Sequence, residues 1–272
     1  MIKITSNEPI VLLLDLDQTI QGDVTPQLIE HHLIGHLNEN VNISKVSSKK
    51  TLRQNKHDVI SDMRNGLLRP HFKRFIIKLK KRYKNVEFFI YTASEKEWAK
   101  YIVKIIEDTL KIKFQKRIFT RDDCLYDKDR KKFMKSIEHI SPDIFKSLTR
   151  KYKLKKDSFG KYQFKYIHMI DNNDILKEHE MKHLIRCEDY NKKIVIDYLR
   201  SIPKNIIEKH HNVICKRLYD RSSSDVIDFY KIHYNFLANS KEQADKFNRL
   251  HYRGDNFWIK AQKIIKKTYK LT

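Results

Sequence analysis

Three short apolar runs constrain the fold of this chain more than any other feature. "VLLLDLD" at 11–17, "VEFFIYTAS" at 86–94 and "YIHMIDNND" at 166–174 each end in polar or acidic residues. Runs of this length, bounded by turn signals, read as buried strands of a parallel sheet. Helical patterns fall between them. Thr25-Pro26 is an N-cap and first-turn pair leading into Ile29, Leu33 and Leu37 on one face. "SEKEWAKYIVKIIED" predicts a Ser94/Glu97 capping box and a buried stripe of Trp98, Tyr101, Ile102, Ile105 and Ile106. "SPDIFKSLTRKY" predicts another helix opening at Ser141 and Pro142. Strands alternating with helices imply an α/β, doubly wound domain with a parallel sheet flanked by helices.

Two regions depart from that pattern. Residues 39–65 are polar and read as a loop or insertion. Beyond about residue 200 the acidic strand ends stop and helix signals dominate, including a Ser240/Gln243 capping box and the basic amphipathic stretch "FWIKAQKIIKKTYK". The expected organisation is therefore an α/β domain over 1–199 and a basic helical C-terminal extension over 200–272. With only 5 Gly and 5 Pro in the chain there is no flexible linker, so the extension is expected to pack on the core.

The 272 residues are 40% hydrophobic, enough to bury a core. The charge is the outlier: 57 Lys and Arg against 34 Asp and Glu give +23. Such an excess attracts polyanions and leaves two uses open for the basic surface, docking an acidic phosphopeptide or binding nucleic acid. No nucleic-acid-reading motif is visible. Three scattered cysteines fit a reducing compartment and no disulfide framework. There is no signal-peptide pattern and no apolar run approaching the ~20 residues that span a bilayer. The expectation is an intracellular protein of nucleus or cytoplasm, or one packaged in a virion, without a membrane partner. Richness in Lys, Ile and Asn fits an AT-rich genome, as in large DNA viruses and some parasites.

In open α/β sheets ligands bind outside the carboxyl ends of the strands. Asp15 and Asp17, Thr92 and Ser94, and Asp171, Asn172 and Asn173 all lie at such ends. A carboxylate there can attack phosphorus, and a second one two residues on points the same way and can move the proton. Asp15 is the candidate nucleophile and Asp17 the candidate acid/base. Carboxylates facing a phosphate need positive charge, which Mg²⁺ held by Asp15, Asp17 and Asp171 would supply. Thr92 and the N–H groups beyond Ser94 suit phosphate, and a lysine, Lys135, is expected on the transition state.

Asp15-Leu16-Asp17-Gln18-Thr19 resembles the first motif of the haloacid dehalogenase superfamily, and the non-glycine Gln18 resembles its branch of RNA polymerase II C-terminal-domain phosphatases. "LRPHFKRFI" at 68–76 is similar to that branch's Arg-Pro-(Gly)-x-x-x-Phe segment, with His71 where Gly is usual. "FIYTAS" at 89–94, "RIFTRDDCLYDKDRKKFMKSI" at 117–137 and "HMIDNND" at 168–174 resemble its later motifs in the same order. The resemblance covers about residues 10–190. It implies a haloacid-dehalogenase-like sheet and a Mg²⁺-dependent phosphoserine/phosphothreonine phosphatase acting through an aspartyl-phosphate. It places Asp15 as nucleophile, Asp17 as acid/base, Thr92 and Lys135 on the phosphate, and Asp171 with Asn172 at the metal end. Thr19 and Ser94 join the substrate-facing set. Rival readings are a nucleic-acid end phosphatase on the same fold and a scaffold without turnover. The gap from Lys135 to Asp171, longer than in small family members, is a departure, and no BRCT-like region is visible.

"HEMKH" at 179–183 matches the zinc-binding His-Glu-x-x-His pattern. It lacks a third ligand and carries Lys182 inside the motif, so it reads as a polar helix after the last catalytic strand. His32 and His36 likewise read as one turn of a surface helix.

Overall fold

In the computed structural model, residues 2–4, 8–41, 59–129, 131–156, 162, 164–199, 202–251 and 254–271 are described. The strands are β1 (Ile2–Ile4), β2 (Ile10–Leu14), β3 (Val86–Tyr91), β4 (Ile118–Phe119), β5 (Leu125–Asp127), β6 (Lys132–Met134), β7 (Ile167–Asp171), β8 (Leu184–Arg186) and β9 (Tyr269–Leu271). The helices are α1 (Thr25–Val41), α2 (Phe72–Arg82), α3 (Lys96–Leu110), α4 (Ile137–Tyr152), α5 (Lys204–Tyr219), α6 (Val226–His251) and α7 (Phe257–Thr268). They sort into two compact units: 1–21 with 68–190 and 255–272, and 22–67 with 191–254. This division does not follow a boundary at 199/200. The chain leaves the first unit at Gly22, returns to it at Leu68 and again at Asp255, and ends there with the last helix and β9.

The first unit is built on a parallel five-stranded sheet in the order β4-β3-β2-β7-β8, flanked by helices. The three apolar runs are its middle strands. Every residue of β2 and β3 is buried, because helices cover both faces and leave no solvent side on which polar residues would alternate. On one face Val11, Leu13, Phe89, Tyr91 and Met169 meet Ile140, Ile144 and Leu148 of α4. In α3 the expected stripe of Trp98, Ile102, Ile105 and Ile106 is buried, with Tyr101 half-buried. Trp258 of α7 lies 4.8 and 4.7 Å, between ring centroids, from Phe72 and Phe75 of α2. Beyond α7, β9 pairs in parallel with β1. The antiparallel pair β5–β6 has no counterpart in the apolar pattern.

Three helix starts differ from the sequence reading. Helix α3 begins at Lys96 after Glu95 with no side-chain cap, because the Ser94 hydroxyl is bonded elsewhere and Glu97 pairs with exposed Lys100. Helix α4 begins a full turn earlier than Ser141: Ser136 is its N-cap, accepting from His139 N, and Pro142 lies inside the helix. Ser240 and Gln243 fall within the unbroken α6 and open nothing.

The second unit gathers Leu33 and Leu37 of α1, Ile196, Tyr198, Leu199 and Ile202, and Ile207, Ile214 and Phe229 of the later helices into its own core. Ile29, expected on the same stripe, is exposed. The start of α1 is capped by Asp23, whose carboxylate accepts from Thr25 N. Gly22 is required here, since a Cβ would lie 2.0 Å from the Lys192 carbonyl oxygen. His36 Nδ1 accepts from Arg217 Nη2 at 2.8 Å, in keeping with a surface role for the His32/His36 pair. Of the polar stretch 39–65, residues 42–58 lie outside the described residues; Met63–Leu67 form a kinked turn in which Asn65 and Gly66 leave helical geometry, Gly66 with a φ of 102°.

Candidate active site

Each candidate side chain is delivered by the end of a strand. Asp15 follows β2, and its N–H donates to the Ile170 carbonyl of β7 at 3.0 Å. Asp171 is the last residue of the adjacent β7. Thr92 follows β3 on the other side, with its N–H donated to Phe119. Lys135 comes from outside the sheet. Its N–H donates to Ile175 O at 2.8 Å, which ties the residue after β6 to the loop after β7.

Lys135 is 1% exposed and bridges two carboxylates. Its Nζ lies 2.6 Å from Asp15 Oδ1 and 2.7 Å from Asp171 Oδ2. Asp17 is held on both oxygens: Ser94 Oγ donates to Oδ2 at 2.5 Å and Gln21 Nε2 to Oδ1 at 2.9 Å. The Thr19 hydroxyl donates to Asn172 Oδ1 at 3.0 Å and accepts from Asn172 N at 3.1 Å. This reciprocal pair locks the loop after β2 to the end of β7. Thr92 is buried, and its hydroxyl accepts from Ser94 N at 3.2 Å. The structure thus brings Asp15, Asp17, Thr19, Thr92, Ser94, Lys135, Asp171 and Asn172 into one cluster at the strand ends. The Ser94 hydroxyl faces Asp17, and Asn172 is engaged with Thr19, Gln18 and Asp189.

The electrostatics are unbalanced. The Asp15 carboxyl is raised to about 7: burial pushes it up most, Asp171 and Asp17 add to the rise, and Lys135 opposes it. Burial alone would lower the Lys135 ammonium, but Asp15 and Asp171 hold it above the ordinary lysine value. Lys135 bonds two of the carboxylates, Asp15 and Asp171, while Asp17 is held only by the neutral Ser94 and Gln21 among the described residues. Oxygen donors with surplus negative charge in a partly desolvated cluster suit a hard divalent cation.

Residues with no assigned role in the sequence reading complete the setting. Gln21 holds Asp17, and Asp189 accepts from Asn172 Nδ2 at 3.1 Å. Arg69, from the "LRPH" segment, is buried; its Nε bonds Asp255 at 2.9 Å, its guanidinium lies 4.7 Å from the Phe257 ring centre, and Nη1 reaches Gln18 O at 3.5 Å. The signal for Asp189 was available, since "CEDY" follows the short strand β8 as the other acidic ends follow theirs. Asp174 stands apart, in an exposed ion pair with Arg186. The "HEMKH" segment is a 3₁₀ turn (Glu178–His183) rather than an α-helix, so its two histidines do not share a helical face. His183 Nδ1 instead contacts Ile167 O at 3.1 Å.

A parallel sheet flanked by helices, with Asp-x-Asp beyond its central strand and an acidic end on the next, defines the haloacid-dehalogenase-like class of α/β proteins. Within it, residues 10–201 match the NLI interacting factor-like phosphatase family, and the chain belongs to that family. Two solved structures resemble it. A variant of the fission yeast RNA polymerase II CTD phosphatase Fcp1 bound to beryllium fluoride is 19% identical, with 96% of this chain and 62% of that chain covered and a TM-score of 0.42. A structure of Fcp1 described as an essential RNA polymerase II CTD phosphatase is also 19% identical, with coverages of 96% and 70% and a TM-score of 0.36. The chain therefore spans less than two thirds of the first of these proteins. No curated protein matches the chain by sequence. No helix among the described residues is long and apolar enough to cross a membrane.

Proposed function

We propose that the protein is a Mg²⁺-dependent phosphoserine/phosphothreonine protein phosphatase, and that its substrate is an acidic phosphopeptide such as a polymerase tail. The observation that carries this reading is the buried Lys135 bridging Asp15 and Asp171 beside an Asp17 held on both oxygens. Asp15 attacks phosphorus, the bond from phosphorus to the serine or threonine oxygen breaks, and a protonated Asp17 gives its proton to that oxygen. Water then attacks the aspartyl-phosphate, Asp17 takes back a proton, and inorganic phosphate leaves. Ser94 and Gln21 keep Asp17 oriented for both transfers. Lys135 and the Thr92 hydroxyl would stabilise the charge that gathers on the phosphoryl oxygens. Asp15, Asp17 and Asp171 would hold Mg²⁺, which supplies positive charge to the phosphate. Family membership supports the phosphatase chemistry, and the net charge of +23 supports an acidic substrate met in the nucleus or cytoplasm.

Phosphate release tests this. An aryl phosphate, a CTD-repeat phosphopeptide and a 3′-phosphorylated oligonucleotide are compared with and without Mg²⁺, using wild type, Asp15→Asn and Asp17→Asn. The expected result is metal-dependent release that prefers the peptide and falls at least 100-fold in either variant. Preference for the oligonucleotide would make it a nucleic-acid end phosphatase. No release from folded protein would make it a scaffold.

A further inference from the structure

A second group of metal-ligating side chains lies away from the three aspartates. Glu138, in the first turn of α4, and His179 and Glu180, in the 3₁₀ turn after β7, each offer one ligand atom within 4.8 Å of the others. His179 Nε2 is 3.8 Å from Glu138 Oε2. These residues line a cavity of about 650 Å³ together with Ser141 and His183.

Glu180 makes this more than a surface cluster. It is 4% exposed. One oxygen, Oε1, accepts from Glu138 N at 2.7 Å and from Ser136 Oγ at 3.3 Å, which helps to cap α4. The other, Oε2, is buried and has no hydrogen-bond partner among the described residues. A carboxylate oxygen out of water and unpaired is costly, and a cation is the partner that would offset that cost. We propose that Glu138, His179 and Glu180 bind a divalent transition metal of the Zn²⁺ class. Two carboxylates and a neutral imidazole balance a dication. One nitrogen with two oxygens is a donor set zinc accepts, leaving a fourth position for water. Glu138 and His179 are exposed and free to close the remaining distance onto a metal held by the fixed Glu180. The pairing differs from the His-x-x-x-His reading of "HEMKH", since His183 is turned to Ile167 O and Glu138 supplies the third ligand. Such a metal would clasp the helix that follows Lys135 to the turn that follows Asp171, independently of whether the aspartate site turns over.

The test is Zn²⁺ titration of the full chain by calorimetry in excess Mg²⁺, with thermal unfolding in parallel. Glu138→Gln and His179→Ala, both at exposed positions, are compared with His183→Ala and Asp15→Asn. The expected result is a Zn²⁺ equivalent weakened at least tenfold by Glu138→Gln and by His179→Ala, and retained in the other two. Zn²⁺ should raise the Tm of wild type and not of His179→Ala. Zn²⁺ affinity unchanged in Glu138→Gln and His179→Ala, or lost through His183→Ala or Asp15→Asn instead, would overturn the assignment.

Discussion

Asp15 sits in an environment that opposes its own ionisation. Its ordinary carboxyl value is 3.8 and it is raised to about 7 in the folded chain, most of all by burial. A carboxyl raised on folding contributes stability below its unfolded value, and that contribution is lost as pH rises through the folded one. In metal-free protein the Tm of wild type relative to Asp15→Asn should therefore fall as pH rises from 4 to 8, and thermal scans of both across pH will show it. Gln18 and His71 both adopt left-handed backbone, with φ of 59° and 68°, a conformation that favours glycine. Gln18 has a return for this strain, since its Oε1 accepts from Asn172 Nδ2 at 3.2 Å. His71 is exposed and makes no side-chain cap on α2. His71→Gly should stabilise the chain by about 0.5–1 kcal/mol, read from urea midpoints at constant m-value.

Elements were legible where burial alone decided them and misread where two polar partners competed. The three central strands were visible because helices cover both faces, so apolar residues run together. Helix starts were harder. A serine before a helical pattern is a cap only if nothing else claims its hydroxyl, and Asp17 claims that of Ser94 across 77 positions of sequence. Ser136, directly after Lys135, caps α4 ahead of Ser141, whose own hydroxyl bonds back to Ile137 O. The site followed the same rule. Asp15, Asp17 and Asp171 announce themselves at strand ends, whereas Gln21 and Arg69 matter only through partners that folding brings, Asp255 being 186 residues from Arg69. Pro142 is exposed, inside α4, and cannot donate to the carbonyl four residues back. Pro142→Ala should raise stability by about 1–3 kcal/mol, measured by chemical denaturation.

At the scale of the whole chain, the basic helix near its end belongs to the first unit. Helix α7 places Trp258, fully buried, against Phe72 and Phe75, and Asp255 just before it pairs with Arg69. Trp258→Ala should cost about 3–5 kcal/mol, a loss visible in both urea unfolding and tryptophan fluorescence. Reading 200–272 as one extension missed this because both parts of it are helical and basic, and only the long-range partners of Asp255 and Trp258 separate them. The arrangement also orders events during synthesis. In chain order Asp15 comes before Arg69, and the Asp255 that pairs with Arg69 comes 186 residues after it. The Arg69–Asp255 ion pair, and with it the contact from Arg69 to Gln18 O, therefore waits for a segment made 186 residues later, and the loop that carries Asp15 and Asp17 gains that support only once the intervening chain has been made.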